Sequence, residues 1–391
     1  MSKTKIALTA LCTVSAATAQ AQSSVTLYGV LDTPIEYVNH MASSPPTVNA
    51  VTGAVTQQPG GNRFSIVSGG AMAGPRWGLR GVEDLGNGLQ ALFTLESGFG
   101  VDNGVSQQGG RLFGRAAYVG FKKTGFGTLT FGRQYTPMFD VFANFGPLTY
   151  ANLYEPSVAQ LGPAFREDNM LKYVGVFGGL TAEAHWSFGT GVGAIASTPL
   201  AGGGGGEVPG HFRDNTGYGA GVSYFSGPFG VTVAYDQWNP AVTTGNAGKA
   251  KKAGAAISYT LGPTKLMAGY RWGDTKNSAD TTLVRDDYYW VGASYQATST
   301  LVLNLGYYYD NLKTLRVSSA APAVNPANPW QVSFVMDYNL SKRTDVYLTM
   351  AYVKNSGLNF DTSATGFANG YFLSPGHNSQ VGVAAGLRHK F

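Results

Sequence analysis

The residues best placed to do chemistry in this chain are arginines set on alternating positions. In PRWGLRG, Arg76 and Arg80 alternate with Trp77 and Leu79. In FGRAAYVG, Arg115 and Ala117 alternate with Ala116 and Tyr118, and in FREDNMLKY, Arg166 and Lys172 share a parity opposite Leu171 and Tyr173. Side chains two apart in a strand share a face, so each segment offers cations on one side and apolar groups on the other. Carboxylates complete the set: Asp32 lies on the polar parity of SVTLYGVLDTPIEYV, and Asp140 and Glu155 lie in the connection 137–167. A basic wall facing carboxylates creates a transverse field that orients polar solutes and biases the passage of ions. A single arginine on a wetted strand is an ordinary solvated charge; the grouping on neighbouring segments is the signal.

Covalent and metal chemistry find little support. A hydrolase needs a poised nucleophile and base, and the histidines (His40, His185, His211, His377 and His389) show no Ser/His/Asp or His/Glu spacing. The one cysteine, Cys12, sits in the N-terminal leader described below, which leaves no disulfide, thiolate metal site or cysteine nucleophile beyond it. The expectation is no enzyme, no cofactor and no metal.

The elements that must position the arginines follow from pattern and composition. Lys3 and Lys5, a short apolar core and Ala19-Gln20-Ala21 read as an export signal over residues 1–21, to be removed before any fold argument. Cys12 follows Leu11 rather than a small residue, which argues against lipidation. The formal charge of +5 loses two with Lys3 and Lys5, and no basic block points to nucleic acid. Charged residues are 13% of the chain and aromatics 13%, with tyrosine slightly ahead of phenylalanine and 54 glycines; soluble domains carry about 25% charge. Tyrosine suits a membrane–water boundary. No segment after the leader approaches the ~18 apolar residues of a spanning helix, which leaves a closed β-barrel as the way to cross a membrane.

Period-two segments recur sixteen times over 22–391, from 25–38 through 71–82 and 111–122 to 379–391. Alternate links are tight and rich in turn formers, such as EDLGNG, KTGFG and SKRT, with the residue types short hairpins require. The links between them are long. This predicts an all-β fold: a transmembrane antiparallel barrel of sixteen strands with long external loops and short periplasmic turns. Polar residues collect on one parity (Thr232, Ala234 and Asp236 in GVTVAYDQW) and apolar ones on the other (Val231, Val233 and Tyr235), as lipid outside and water inside demand. Sixteen strands enclose an aqueous channel. The 137–167 link carries Met138, Phe139, Phe142, Phe145, Leu148 and Tyr154. So much apolar surface favours folding inward against the wall and narrowing the pore, with packing on a neighbouring subunit as the alternative.

SSVTLYGVLD, PRWGLRGVEDLGNGLQALFTLESGF, GRLFGRAAYVGFK, FGTLTFGRQY, FREDNMLKY, NLSKRTDVY and the ending VGVAAGLRHKF, in that order over almost all of the chain after the leader, resemble the Gram-negative trimeric general porins of the neisserial and burkholderial type. The resemblance implies an outer-membrane homotrimer passing small hydrophilic solutes and ions, with the third external loop folded into each pore. It also implies outer-membrane lipid and lipopolysaccharide as surroundings. By motif position Arg76, Arg115 and Arg166 match the family's basic constriction wall, which Arg80 and Lys172 extend. Phe391 matches the terminal aromatic read by the barrel-assembly machinery. Cation-preferring members have more loop carboxylates than Asp140 and Glu155, so the resemblance implies a neutral to mildly anion-preferring pore. Two alternatives share the barrel: a surface adhesin, or a substrate-specific channel with Tyr28, Tyr288, Trp290 and Tyr308 along its path.

Overall fold

The structure is a computed structural model that describes residues 24–192, 205–362 and 370–391. The expected leader, with Cys12, lies outside the described residues. Sixteen strand positions make one closed antiparallel sheet. They are β1 (Ser24–Ala42), β2 in two pieces (Gly60–Ile66 and Arg76–Gly86), β3 (Leu89–Gly98), β4 (Ala116–Lys123), β5 (Gly127–Tyr135), β6 (Arg166–Phe177), β7 (Leu180–Ser187) and β8 (Gly217–Ser226). The second half adds β9 (Phe229–Trp238), β10 (Lys249–Leu261), β11 (Thr264–Lys276), β12 (Thr282–Gln296), β13 (Leu301–Leu315), β14 (Trp330–Asn339), β15 (Thr344–Lys354) and β16 (Ser379–Lys390). No described helix is long and apolar enough to cross a membrane; the strands do so.

Alternation sets the two faces. Along β9, Val231 and Val233 are exposed on the outside, while Thr232, Ala234 and Asp236 are buried within. Along β13, Leu305 and Tyr307 face out and Asn304, Tyr308 and Asp310 face in. A one-residue slip would put every charge into lipid, so the pattern fixes the register. The tight turns do the same at one end: Asn87 and Gly88, between β2 and β3, both take positive φ (51° and 71°), the geometry of a type I′ hairpin. Closure runs from Val30 opposite Lys390 to Val38 opposite Gly382. Below it Gly29 and Phe391 exchange backbone hydrogen bonds of 3.1 Å, leaving no open edge at the seam.

Two strands start later than the sequence pattern predicts. The expected second strand over 71–82 begins at Arg76, and its upper place beside β1 is taken by Gly60–Ile66. The intervening residues leave the sheet because Asp32 captures their amides: its carboxylate accepts from Ala71 (3.3 Å), Met72 (2.8 Å) and Ala73 (2.7 Å), and from the Tyr347 hydroxyl. A charge-assisted set of that kind outweighs one continued ladder. The expected fourth strand over 111–122 begins at Ala116, since Arg111 turns away to pair with Asp168 at 2.8 Å. The main apolar core lies inside the barrel, where Met138, Val141, Phe142, Phe145, Leu148, Leu153 and Tyr154 pack against the inner wall.

Candidate functional site

The connection between β5 and β6 enters the lumen as a short helix, α1 (Pro137–Phe142), started by proline at its first turn, and a second, α2 (Ser157–Leu161). It is tied down by wall side chains that reach its backbone carbonyls. Trp290 Nε1 donates to Phe145 O (2.8 Å), and Arg271 donates to Ala159 O (2.5 Å) and Gln160 O (3.0 Å). Gln331 and Ser333 both donate to Tyr154 O (2.9 and 2.7 Å), and the Tyr154 hydroxyl donates to Glu36 at 2.8 Å. The bonds from Trp290, Arg271, Gln331 and Ser333 satisfy loop carbonyls that would otherwise be buried unpaired. Wall glycines make the close approach possible: a Cβ at Gly292 would sit 2.4 Å from Pro147, and one at Gly382 would sit 2.5 Å from the Tyr154 hydroxyl. The loop therefore folds inward: α1 packs on β8 and β9, and the rest of the loop meets β1, β11, β12, β13, β14 and β16.

Between the loop and the strands near the start of the sheet lies an open cavity of about 940 Å³, lined among others by Arg76, Glu96, Arg115, Tyr135 and Arg166. Arg115 Nε meets Glu96 Oε1 at 2.7 Å, and Arg76 Nε meets Glu96 Oε2 at 3.4 Å. The Tyr28 hydroxyl adds a 3.1 Å bond to Glu96. Tyr135 links Arg115 to the third cation: its hydroxyl accepts from Arg115 Nη2 (3.1 Å) and Arg166 Nη2 (2.5 Å). Arg166 also lies over the Tyr135 ring, 4.4 Å from its centroid. The three guanidiniums face one pore carboxylate on the wall, Glu96. On the loop side, Glu155 is buried, accepts from Leu148 N (3.3 Å) and the Tyr308 hydroxyl (3.0 Å), and is pushed up to about 7 by burial. With three guanidiniums against Glu96 and Glu155, the cavity is net positive.

The residues singled out in the sequence divide. Arg76, Arg115 and Arg166 meet at this cavity, and Glu155 lines it. Arg80 does not; four residues along β2, it is exposed, with its guanidinium over the Tyr28 ring at 5.4 Å. Lys172 is buried beneath the loop, bonded to Asp140 and 3.0 Å from Glu183, so that Asp140 is neutralised there rather than presented to solute. Asp32 is fully buried in the amide cradle described above. Tyr288, Trp290 and Tyr308 are buried under the loop, so they line no solute path. Sequence reasoning missed Glu96 and Tyr135. Glu96 was within reach, because it pairs with Gly78 on the inward parity of β2. No side-chain cluster of a type that holds a metal ion occurs among the described residues.

Comparison with known proteins gives a consistent result. A family model described as Gram-negative porin matches residues 7–358. An outer membrane porin protein of Bordetella pertussis is 32% identical, with all of both chains aligned. Outer membrane porin protein 32 of Delftia acidovorans is 29% identical, again over all of both chains. Among solved structures, an anion-selective porin from Comamonas acidovorans superposes with a TM-score of 0.71 at 25% identity, covering 94% of this chain and 100% of that one. A trimer form of OmpT from Vibrio cholerae shares the fold, with a TM-score of 0.62 at 15% identity, covering 94% and 99%.

Proposed function

The chain belongs to the Gram-negative porin family, and from that premise we propose a mildly anion-preferring pore, one in each subunit of a homotrimer. Membership makes it an outer-membrane diffusion channel for small hydrophilic solutes; the family and the relatives above are channels, not enzymes. The anion preference rests on one observation: Arg76, Arg115 and Arg166 line the cavity against Glu96, while Asp140 is spent on Lys172. Fixed guanidiniums lining the cavity raise the local concentration of anions and lower that of cations. The printed selectivity of the Comamonas acidovorans porin supports the same direction, and the trimer form of OmpT supports the assembly.

The remaining assignments follow from sequence position. Residues 1–21 act as the export signal, the outer face of the barrel contacts lipid and lipopolysaccharide, and Phe391 serves recognition by the assembly machinery. Reversal potentials in a potassium chloride gradient across a planar bilayer test the pore. The wild type should shift toward the chloride potential, in conductance steps grouped in threes. Arg115→Ala removes one of three wall cations and should weaken the shift. A cation-directed potential in the wild type, or an unchanged one in Arg115→Ala, refutes the assignment.

A further inference from the structure

We propose that the constriction is a subsite for small aromatic carboxylates, so that such anions pass it more readily than aliphatic anions of the same charge and size. The inference rests on the anion-preferring reading above and adds the class of solute.

The cavity offers an anchor for the carboxylate. Arg115 uses Nε and Nη2 within the protein, Arg76 uses Nε and Nη1, and Arg166 uses Nη2. Arg115 Nη1, Arg76 Nη2 and Arg166 Nη1 have no partner among the described residues, and all three arginines line the cavity. Planar guanidinium donors match a planar carboxylate, and they are weakly hydrated enough to exchange water for it.

The cavity also offers a surface for a ring. Phe142 and Phe145 of the same loop are fully buried, whereas Phe139, Tyr150 and Phe165 stay half-buried and line the open space. Phe139 and Phe165 are near-parallel, 5.6 Å apart at 16°, and Tyr150 leans on Phe139 at 5.0 Å. Arg166 joins the two surfaces, since its guanidinium lies 5.0 Å over the Phe165 ring. An inorganic anion gains nothing from these rings, which displace water without replacing its hydrogen bonds. A benzoate-like anion gains twice: its carboxylate meets the arginines and its ring meets Phe165 and Tyr150, with stacking worth roughly a two- to tenfold preference.

The test uses the reconstituted full-length channel with sodium salts of benzoate, cyclohexanecarboxylate and acetate, each against chloride under bi-ionic conditions. Cyclohexanecarboxylate matches benzoate in charge and approximate bulk but lacks the aromatic face. The expected result is a benzoate permeability about two- to tenfold above cyclohexanecarboxylate, with benzoate blocking chloride current at lower concentration than acetate does. Phe165→Leu should pull the benzoate ratio toward that of cyclohexanecarboxylate. If the wild type is anion-selective in potassium chloride but passes benzoate no better than cyclohexanecarboxylate, this inference falls and the anion-preferring pore stands. If it is cation-selective, both fall. The wild-type comparison decides the matter even where Phe165→Leu does not assemble.

Discussion

Lowering the pH from 8 to 6 should raise the anion-to-cation permeability ratio of this channel by about threefold, and Glu155→Gln should remove that dependence. Burial pushes the Glu155 carboxyl up to about 7, against the opposing pull of the hydrogen bonds from Leu148 N and the Tyr308 hydroxyl. The group is therefore ionised at pH 8 and protonated at pH 6. A cavity of about 940 Å³ has the volume of a sphere about 6 Å in radius, which places a solute ion at its centre roughly 7 Å from the carboxylate. In water-like surroundings that separation is worth about 0.6 kcal/mol, which screening at 0.1 M salt roughly halves. The charge attracts cations and repels anions alike, so their ratio shifts by about twice the screened value, or about threefold. No histidine lines the cavity, so Glu155 is the group expected to titrate there in this range. Reversal potentials at fixed salt and varied pH measure the ratio, and Glu155→Gln should hold it at the acid value throughout. Stability follows the same sign. The folded carboxyl binds its proton more tightly than an ordinary glutamate, so this group's stabilising contribution is complete below about 4.5 and is lost as pH rises through about 7. A flat wild-type profile, or a sloping profile that survives in Glu155→Gln, refutes the reasoning.

Two further substitutions separate the pore's chemistry from its support. Tyr135→Phe keeps the ring stacked on Phe139 at 3.8 Å but removes the oxygen that holds Arg115 and Arg166 together. With that shared acceptor gone, worth about 1.5–3 kcal/mol for bonds to charged groups, open-channel current noise should rise and anion preference should fall in single-channel recordings. Gly292→Val drives a side chain into Pro147 and Leu305 O, which lie 2.4 and 2.5 Å from where its Cβ must go. Overpacking of that kind costs about 1–3 kcal/mol, so the thermal midpoint should drop while unitary conductance rises as the loop lifts from the wall.

Much of the fold was legible because the strand period is written in the residues themselves. β9, β11 and β13 alternate so cleanly that their faces follow from parity alone. The upper piece of β2 was not legible: Gly60–Ile66 reads GGNRFSI, polar and glycine-rich, and it forms a strand because β1 beside it offers a free edge. The break below it was hidden for a related reason. Asp32 reads as a lumen charge on parity, and nothing local reveals that its oxygens are consumed by Ala71, Met72 and Ala73 some forty residues on. At the site, parity placed Arg76, Arg115 and Arg166 inside, yet it carries no information on height. Arg80 shares the face of Arg76 but lies four residues along the strand, roughly 13 Å away at ~3.3 Å per residue. Tyr135 could not be singled out at all, since its importance comes from the meeting of two arginines distant in sequence.

The inward loop packs on most of the inner wall and leaves a shorter arc facing the cavity, and that asymmetry divides the wall in two. Where it lies, from β8 round to β14 and again at β16 and β1, the inner faces meet peptide, and Arg271, Trp290 and Gln331 act as clamps on loop carbonyls. The arc from β2 to the first residue of β6 carries Arg76, Glu96, Arg115, Tyr135 and Arg166 and borders the cavity proposed as the solute path. On the proposed reading, transport character and most of the loop's support are encoded in different stretches of the chain. A chimera that exchanged β11 to β14 with those of a relative should keep its own permeability and inherit the donor's robustness.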